Sequence, residues 1–149
     1  MTLEKISWSF RGHIASAEEF NAQVLQYQID IQGTDEHWKP EEIVFDCPKV
    51  FVEYEAWVKG ASEILENEKL SNDDEDAFQG ESEDGYYQVE IIATIKADNG
   101  ANFSALEFLM KVHNQQSNKE LGDHVFFEGI GTEFEIVDGA PLCYIRCGS

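Results

Sequence analysis

Residues 50–58 read VFVEYEAWV, and taking every second one places Phe51, Glu53, Glu55 and Trp57 on one side of an extended chain. Val50, Val52, Tyr54, Ala56 and Val58 fall on the other side. Rings interleaved with carboxylates suit the capture of a cationic surface, because the rings supply contact area and the carboxylates orient Lys or Arg side chains. More acids fall on segments of strand character: Glu90 in YYQVEIIATIKA, Glu128 in HVFFEGI, and Glu133 and Glu135 in TEFEIVD. A denser run, Asp73, Asp74, Glu75 and Asp76, lies in SNDDEDAFQGESEDG (71–85), which holds seven carboxylates and no base. These residues form the candidate partner-binding set. The bland alternative is the solvated outer face of an antiparallel sheet packed on one side only.

Other chemistries find less support. Cys143 and Cys147 in CYIRC are four apart; on a strand that is roughly 13 Å, too far to share one zinc or form a disulfide. An EF-hand register started at Asn72 places Asp74 and Asp76 well but puts Ala77 where glycine is needed, and one started at Asp74 meets Phe78 and Gln79. No metal or cofactor is therefore expected. There is no Gly-x-Ser-x-Gly elbow and no glycine-rich phosphate cradle. His113 falls on the apolar stripe of a helix, where a core histidine bonded to a backbone group is the simpler reading. His124 and Glu128 share a strand face but stand too far apart for a direct bond. The chain reads as a non-enzyme.

The charge balance is the strongest global signal. Thirty Asp and Glu face ten Lys and Arg over 149 residues, a formal net charge of −20. Such a field repels phosphate backbones and anionic membranes and steers cationic partners in at low salt. The bases are scattered singly, so direct nucleic-acid binding is not expected. No apolar run approaches the ~20 residues of a membrane span, and MTLEKISWSF has no apolar signal-peptide region. Three cysteines in apolar surroundings fit reduced thiols, and a cytoplasmic setting is expected.

The elements that must position these residues follow from periodicity. Ile6, Trp8 and Phe10 alternate with Lys5, Ser7, Ser9 and Arg11, which predicts a half-buried strand over 4–14. Ser16 and Glu19 form a capping box for a first helix, with Phe20, Val24, Tyr27 and Ile31 as its stripe, Leu25 beside it, and Gly33 as terminator. EEIVFDC and KVFVEYEAWVKG predict two strands broken by Pro48. A turn near Ile64 and Leu65 leads into an acidic segment, 66–85, read as a flexible spacer in which Phe78 is the sole apolar anchor. Residues 86–97 predict the longest strand. Ser104 and Glu107 then cap a second helix faced by Leu106, Leu109, Met110 and His113 and flanked by Phe103 and Val112. HVFFEGI, TEFEIVD and PLCYIRC predict late strands, the last two joined at Asp138 and Gly139.

The expected architecture is thus a single α+β domain over 1–149, with two helices on antiparallel sheet or sheets. It is built from two pseudo-repeated strand-helix-strand-strand units flanking the acidic segment. Their strands would either join into one sheet or face each other across a cleft. The DDED and ESED clusters, Glu53, Glu55, Trp57 and HVFFEG give the chain an overall character that resembles the bacterial immunity proteins that neutralise nuclease toxins. The resemblance implies a basic protein partner such as a toxin domain, whose positive active site is covered by carboxylates. The alternative is a regulatory module holding a small cationic or aromatic ligand between the two halves, with Glu53, Glu90 and Trp57 inside the cleft.

Overall fold

Two ten-residue strands form the spine of the sheet: β2 (Lys49–Val58) and β4 (Tyr87–Lys96) run antiparallel in unbroken register, from Lys49 opposite Lys96 to Val58 opposite Tyr87. The computed structural model describes residues 2–71, 78, 82–131 and 134–149. β3 (Glu68–Leu70) pairs antiparallel with the outer edge of β4. On the other side of β2 lies β8 (Ala140–Tyr144), parallel to it, with Phe51, Val52 and Glu53 opposite Leu142, Cys143 and Tyr144. β7 (Glu135–Val137) closes the order β3-β4-β2-β8-β7. The β7–β8 hairpin turns at Asp138 and Gly139, both at positive φ (50° and 79°), as a two-residue turn of this hand requires. The fold is α+β, and strands from the two halves join into one sheet instead of enclosing a cleft.

Alternation along β2 and β4 explains the core. Val50, Val52, Tyr54, Ala56 and Val58 are buried on the inner face beside Val89, Ile91, Ala93 and Ile95. Helices α1 (Ala17–Gln32) and α2 (Ala105–Ser117) pack on each other, and α2 lies against β2. Both begin as their caps dictate: the Ser16 hydroxyl accepts from the Glu19 N–H at 3.1 Å and the Ser104 hydroxyl from the Glu107 N–H at 3.1 Å. The two glutamates turn elsewhere, Glu19 accepting from Gln23 and Glu107 from Lys111 and the Asp98 N–H. Gly33 ends α1 at φ 75°.

The buried stripes are rotated from those expected. On α1 they run Phe20, Val24, Gln28, while Ile31 is 60% exposed. On α2, Phe108 and Gln116 join Leu109, Val112 and His113, and Leu106 and Met110 move to the rim. Gln28 explains the first rotation. It accepts from the Ser7 N–H at 2.8 Å and donates to the Ser7 carbonyl, satisfying the backbone of the N-terminal segment from one side. Ile6, Trp8 and Phe10 are buried as expected, yet 4–14 forms no regular strand. Its partners are short: Phe10 donates to the Val125 carbonyl (2.8 Å) and Phe127 to that of Trp8 (2.9 Å). Beyond lies the two-residue pair of β6 (Phe126–Phe127) and β9 (Cys147–Gly148), so there is no long edge for a ladder to run along. β1 (Ile43–Phe45) makes a similar small pair with β5 (Phe103–Ser104).

His113 is a core residue. Its Nδ1 accepts from Trp8 Nε1 at 3.0 Å, so Nε2 carries the proton and donates to the Gly12 carbonyl. Burial holds its pKa below the ordinary histidine value. Cys143 is likewise an interior thiol, pushed up to about 12 by burial.

Segment 66–85, of which 72–77 and 79–81 lie outside the described residues, differs from the expected spacer at its two ends. It opens with β3, and Glu68 there is buried. It closes with a hairpin turn in which Glu83 and Tyr86 exchange backbone hydrogen bonds of 2.8 and 2.9 Å around Asp84 and Gly85 at positive φ. Phe78 packs edge-on against Tyr87, with ring centroids 5.4 Å apart.

Candidate functional site

Strand alternation that buries Val52, Tyr54 and Ala56 turns Glu53 and Glu55 to the opposite face of β2, and the register sets Glu90 directly across from Glu55. Like charges directly opposite on neighbouring strands destabilise a sheet, so this placement works against the fold. Partial burial, then the Glu53 charge and hydrogen bond, then the Glu55 charge, push the Glu90 carboxyl above its ordinary range. Polar neighbours hold the other two in place: Ser71 donates to Glu53 at 3.1 Å and Gln88 donates to Glu55. Tyr144 enters from β8 opposite Glu53 and is 41% exposed. Its phenol is raised by burial and then by Glu90, Glu55 and Glu53, so one negative field reaches all of them.

A cleft of about 300 Å³ continues the field, bounded by Glu55, Glu128, His124, Tyr144 and Cys147. Glu128 is held there by its backbone, whose N–H donates to the Arg146 carbonyl at 2.8 Å, and its carboxylate lies over Gly148, where a Cβ would stand 1.8 Å from Oε1. Burial, then Glu128 and Glu55, push the Cys147 thiol up to about 12. Arg146 also borders this cleft, but its guanidinium faces Glu4 at 3.7 Å. His124 sits against Asp123 at 3.3 Å. The bases that share the outer sheet face stand at its margin: Lys49 and Lys96, opposite each other at the end of the β2–β4 ladder, and Lys69 on the edge strand.

The expected set is therefore partly assembled. Glu53, Glu55, Glu90 and Glu128 come together, with Trp57 half-buried two residues along from Glu55. Glu135 is exposed but two strands away from β2, opposite Leu142 at the Phe51 end. Phe51 is not an exposed ring. It is 9% exposed, paired with Leu142 and covered by the Lys49 ammonium 5.2 Å from its centroid. Asp73, Asp74, Glu75, Asp76 and Glu133 lie outside the described residues. Sequence reasoning missed Tyr144 and Cys147, which only the parallel β2–β8 pairing brings near Glu53. It also missed Tyr86, although the Asp-Gly of EDGY is a strong hairpin signal.

A larger groove, about 600 Å³, lies elsewhere, along α2 at Leu65, Leu106 and Met110. Its one close charge cluster is internally paired, Lys111 standing 2.8 Å from both Asp98 and Glu107. Among the described residues no helix is long and apolar enough to cross a membrane, and no group of three or more His, Cys, Asp or Glu is placed to hold a metal ion. No protein-family model matches the chain, and neither curated proteins nor solved structures give a match. The functional reading rests on geometry.

Proposed function

We propose that the protein is an acidic binding module that captures a basic protein partner on the outer face of its sheet. The observation that carries this is the Glu53, Glu55 and Glu90 trio: three carboxylates held side by side against their own repulsion, with bases only at the margin among the described residues. Destabilised arrangements of this kind persist where a partner repays them. Within that reading the module belongs with immunity proteins that block nuclease toxins, since an active site built for phosphate is itself positive. The setting proposed is cytoplasmic.

The test is retention of basic proteins (pI above about 9) on immobilised protein at low and rising salt. Replacing Glu53, Glu55 and Glu90 by Gln should abolish most of the retention. The equally charged control Glu18→Gln, Glu41→Gln, Asp46→Asn should keep it. Equal losses from both would mean that net charge, not this face, does the binding.

A second reading, a small-molecule module, draws on the 600 Å³ groove beside α2, which lies in the size range of ligand sites. It would act there and not at Glu53, Glu90 and Trp57, and a Met110→Trp substitution filling the groove would separate it from the first.

A further inference from the structure

Beside the carboxylate trio is a second cleft, of about 390 Å³, whose walls come from three separate parts of the chain. Trp57 supplies one wall. Its backbone N–H donates to the Glu120 carbonyl at 2.8 Å, which ties the 120–124 loop to the end of β2 just where β8 has left it. The same loop passes close to the indole: a Cβ at Gly122 (φ +63°) would be 3.7 Å from Trp57 Nε1. Tyr86 supplies the opposite wall. Gln88 faces Trp57 across the ladder, so Tyr86, two residues earlier, is a diagonal neighbour of Trp57 at about 7–8 Å between strand positions. The Asp84–Gly85 turn fixes Tyr86 and brings Glu83 beside it. Four exposed carboxylates, Glu83, Asp84, Glu120 and Asp123, border the space between the rings.

Two rings with carboxylates around them describe a receptor for a flat organic cation. A ring face attracts the positive charge and carboxylates take its N–H donors. One ring already shows this preference within the chain, because the Lys59 ammonium stands 5.6 Å from the Tyr86 centroid. A guanidinium suits the cleft better than an ammonium: it is planar, stacks on rings and offers a fork of five donors to several carboxylates at once.

We propose that the Trp57–Tyr86 cleft receives an arginine side chain of the partner and is the anchoring pocket of the interface. This deepens the binding-module reading and rests on it for the identity of the arginine's owner. Aromatic and arginine anchors in central pockets carry a disproportionate share of interface energy, whereas a flat acidic face mainly steers encounter.

The probe is N-acetyl-arginine amide, with the lysine and the uncharged citrulline amides as comparisons. Trp8 and Trp38 are 5% and 6% exposed and Trp57 is half-buried, so the Trp57 indole N–H resonance reports the cleft separately. Arginine amide should shift it saturably, lysine amide more weakly and citrulline amide not at all. Glu83→Gln, Glu120→Gln, Asp123→Asn should weaken the arginine response at least tenfold, and Tyr86→Leu several-fold, each checked for a folded spectrum. A response to citrulline equal to that of arginine, no saturable shift, or indifference to both variants would overturn the proposal. If basic proteins are still retained through Glu53, Glu55 and Glu90 while the amide fails, only the pocket falls. If the amide binds while retention fails, the binding-module reading falls and the cleft stands as an arginine site of other use.

Discussion

The Glu68 carboxylate and the Lys119 ammonium meet at 3.0 Å with both side chains closed off from solvent, 0% and 1% exposed. Around them Tyr54 and Gln115 donate to the same carboxylate, and so does the Leu65 N–H at 2.7 Å. A buried ion pair is poor evidence of net stabilisation, yet removing one member strands the other without water. Glu68→Gln or Lys119→Met should therefore cost about 3–5 kcal/mol in denaturant unfolding. Replacing both together by Gln and Met should recover part of the loss, because Gln keeps an acceptor for Tyr54, Gln115 and the Leu65 N–H while no charge is left stranded. A single substitution costing no more than a surface change would show that the pair is open to water.

The same carboxylate sets an acid dependence. Burial alone would raise its pKa; the hydrogen bonds from Tyr54, Leu65, Lys119 and Gln115 outweigh this and hold it below the ordinary 4.5. A folded value below the unfolded one means that the contribution is complete above about pH 4.5 and is lost as the pH falls through the folded value. The stability gap between the native chain and Glu68→Gln should accordingly be constant near neutrality and shrink in acid. A gap that widened below pH 4.5 would contradict the assignment.

Glu90 has the opposite sign. Partial burial and its two carboxylate neighbours raise its folded pKa, so as the pH climbs through that value the group comes to oppose folding. Glu90→Gln should stabilise the protein by about 0.2–1 kcal/mol at pH 7, the range for relieving a like-charged cross-strand pair. The gain should vanish in acid, where the native carboxyl is protonated. Partner retention should fall in the same variant. Stability gained and binding lost by one substitution would mark a functional residue.

His113 should titrate below the ordinary histidine value in nitrogen-detected NMR, because burial and the Trp8 N–H disfavour the cation. As with Glu68, a depressed folded value means stability that is present above the unfolded pKa and lost as the pH falls through the folded one. His113→Leu leaves the Trp8 indole N–H without an acceptor and should cost about 1–3 kcal/mol. An unchanged midpoint would rule out that bond.

Gly148→Ala gives an independent handle on the acidic cleft. The new methyl occupies the place of the Glu128 carboxylate end, which is a flexible tip and can swing away. Folding stability should change by less than about 1 kcal/mol, while retention of a basic partner drops as Glu128 leaves the field. Unaltered retention would remove Glu128 from the site.

Local pattern made much of this legible. The period of two on β2 separates Tyr54 from Glu55 without any knowledge of partners, and Ser16, Ser104 and the Asp138–Gly139 turn mark element ends by chemistry that acts within a few residues. What escaped depends on distant partners. Glu68 reads as one more acid of a solvated run because Lys119, which lets it be buried, lies far along the chain. Ile31 continues a good helical stripe, but Gln28 takes the inward position because the backbone of Ser7 needs hydrogen bonds. Phe51 belongs to the outer face as read, yet Leu142 of a parallel strand covers it, and parallel neighbours leave no hairpin signature. The carboxylate trio was visible in part: Glu53 and Glu55 follow from alternation alone and Glu90 stood among the candidates, but only the register sets it directly across from Glu55.

The parallel pairing of β2 with β8 also orders events in time. Tyr144, Cys147 and Glu128 reach Glu53 and Glu55 only once β8 slides in beside β2, which precedes it by about ninety residues, closing a long loop of intervening chain. A nascent chain that has finished β4 already displays Glu55 and Glu90 but lacks their companions. The cleft between Glu55 and Glu128 is therefore the last part of the acidic face to assemble, after the β2–β4 ladder that carries Glu53, Glu55 and Glu90.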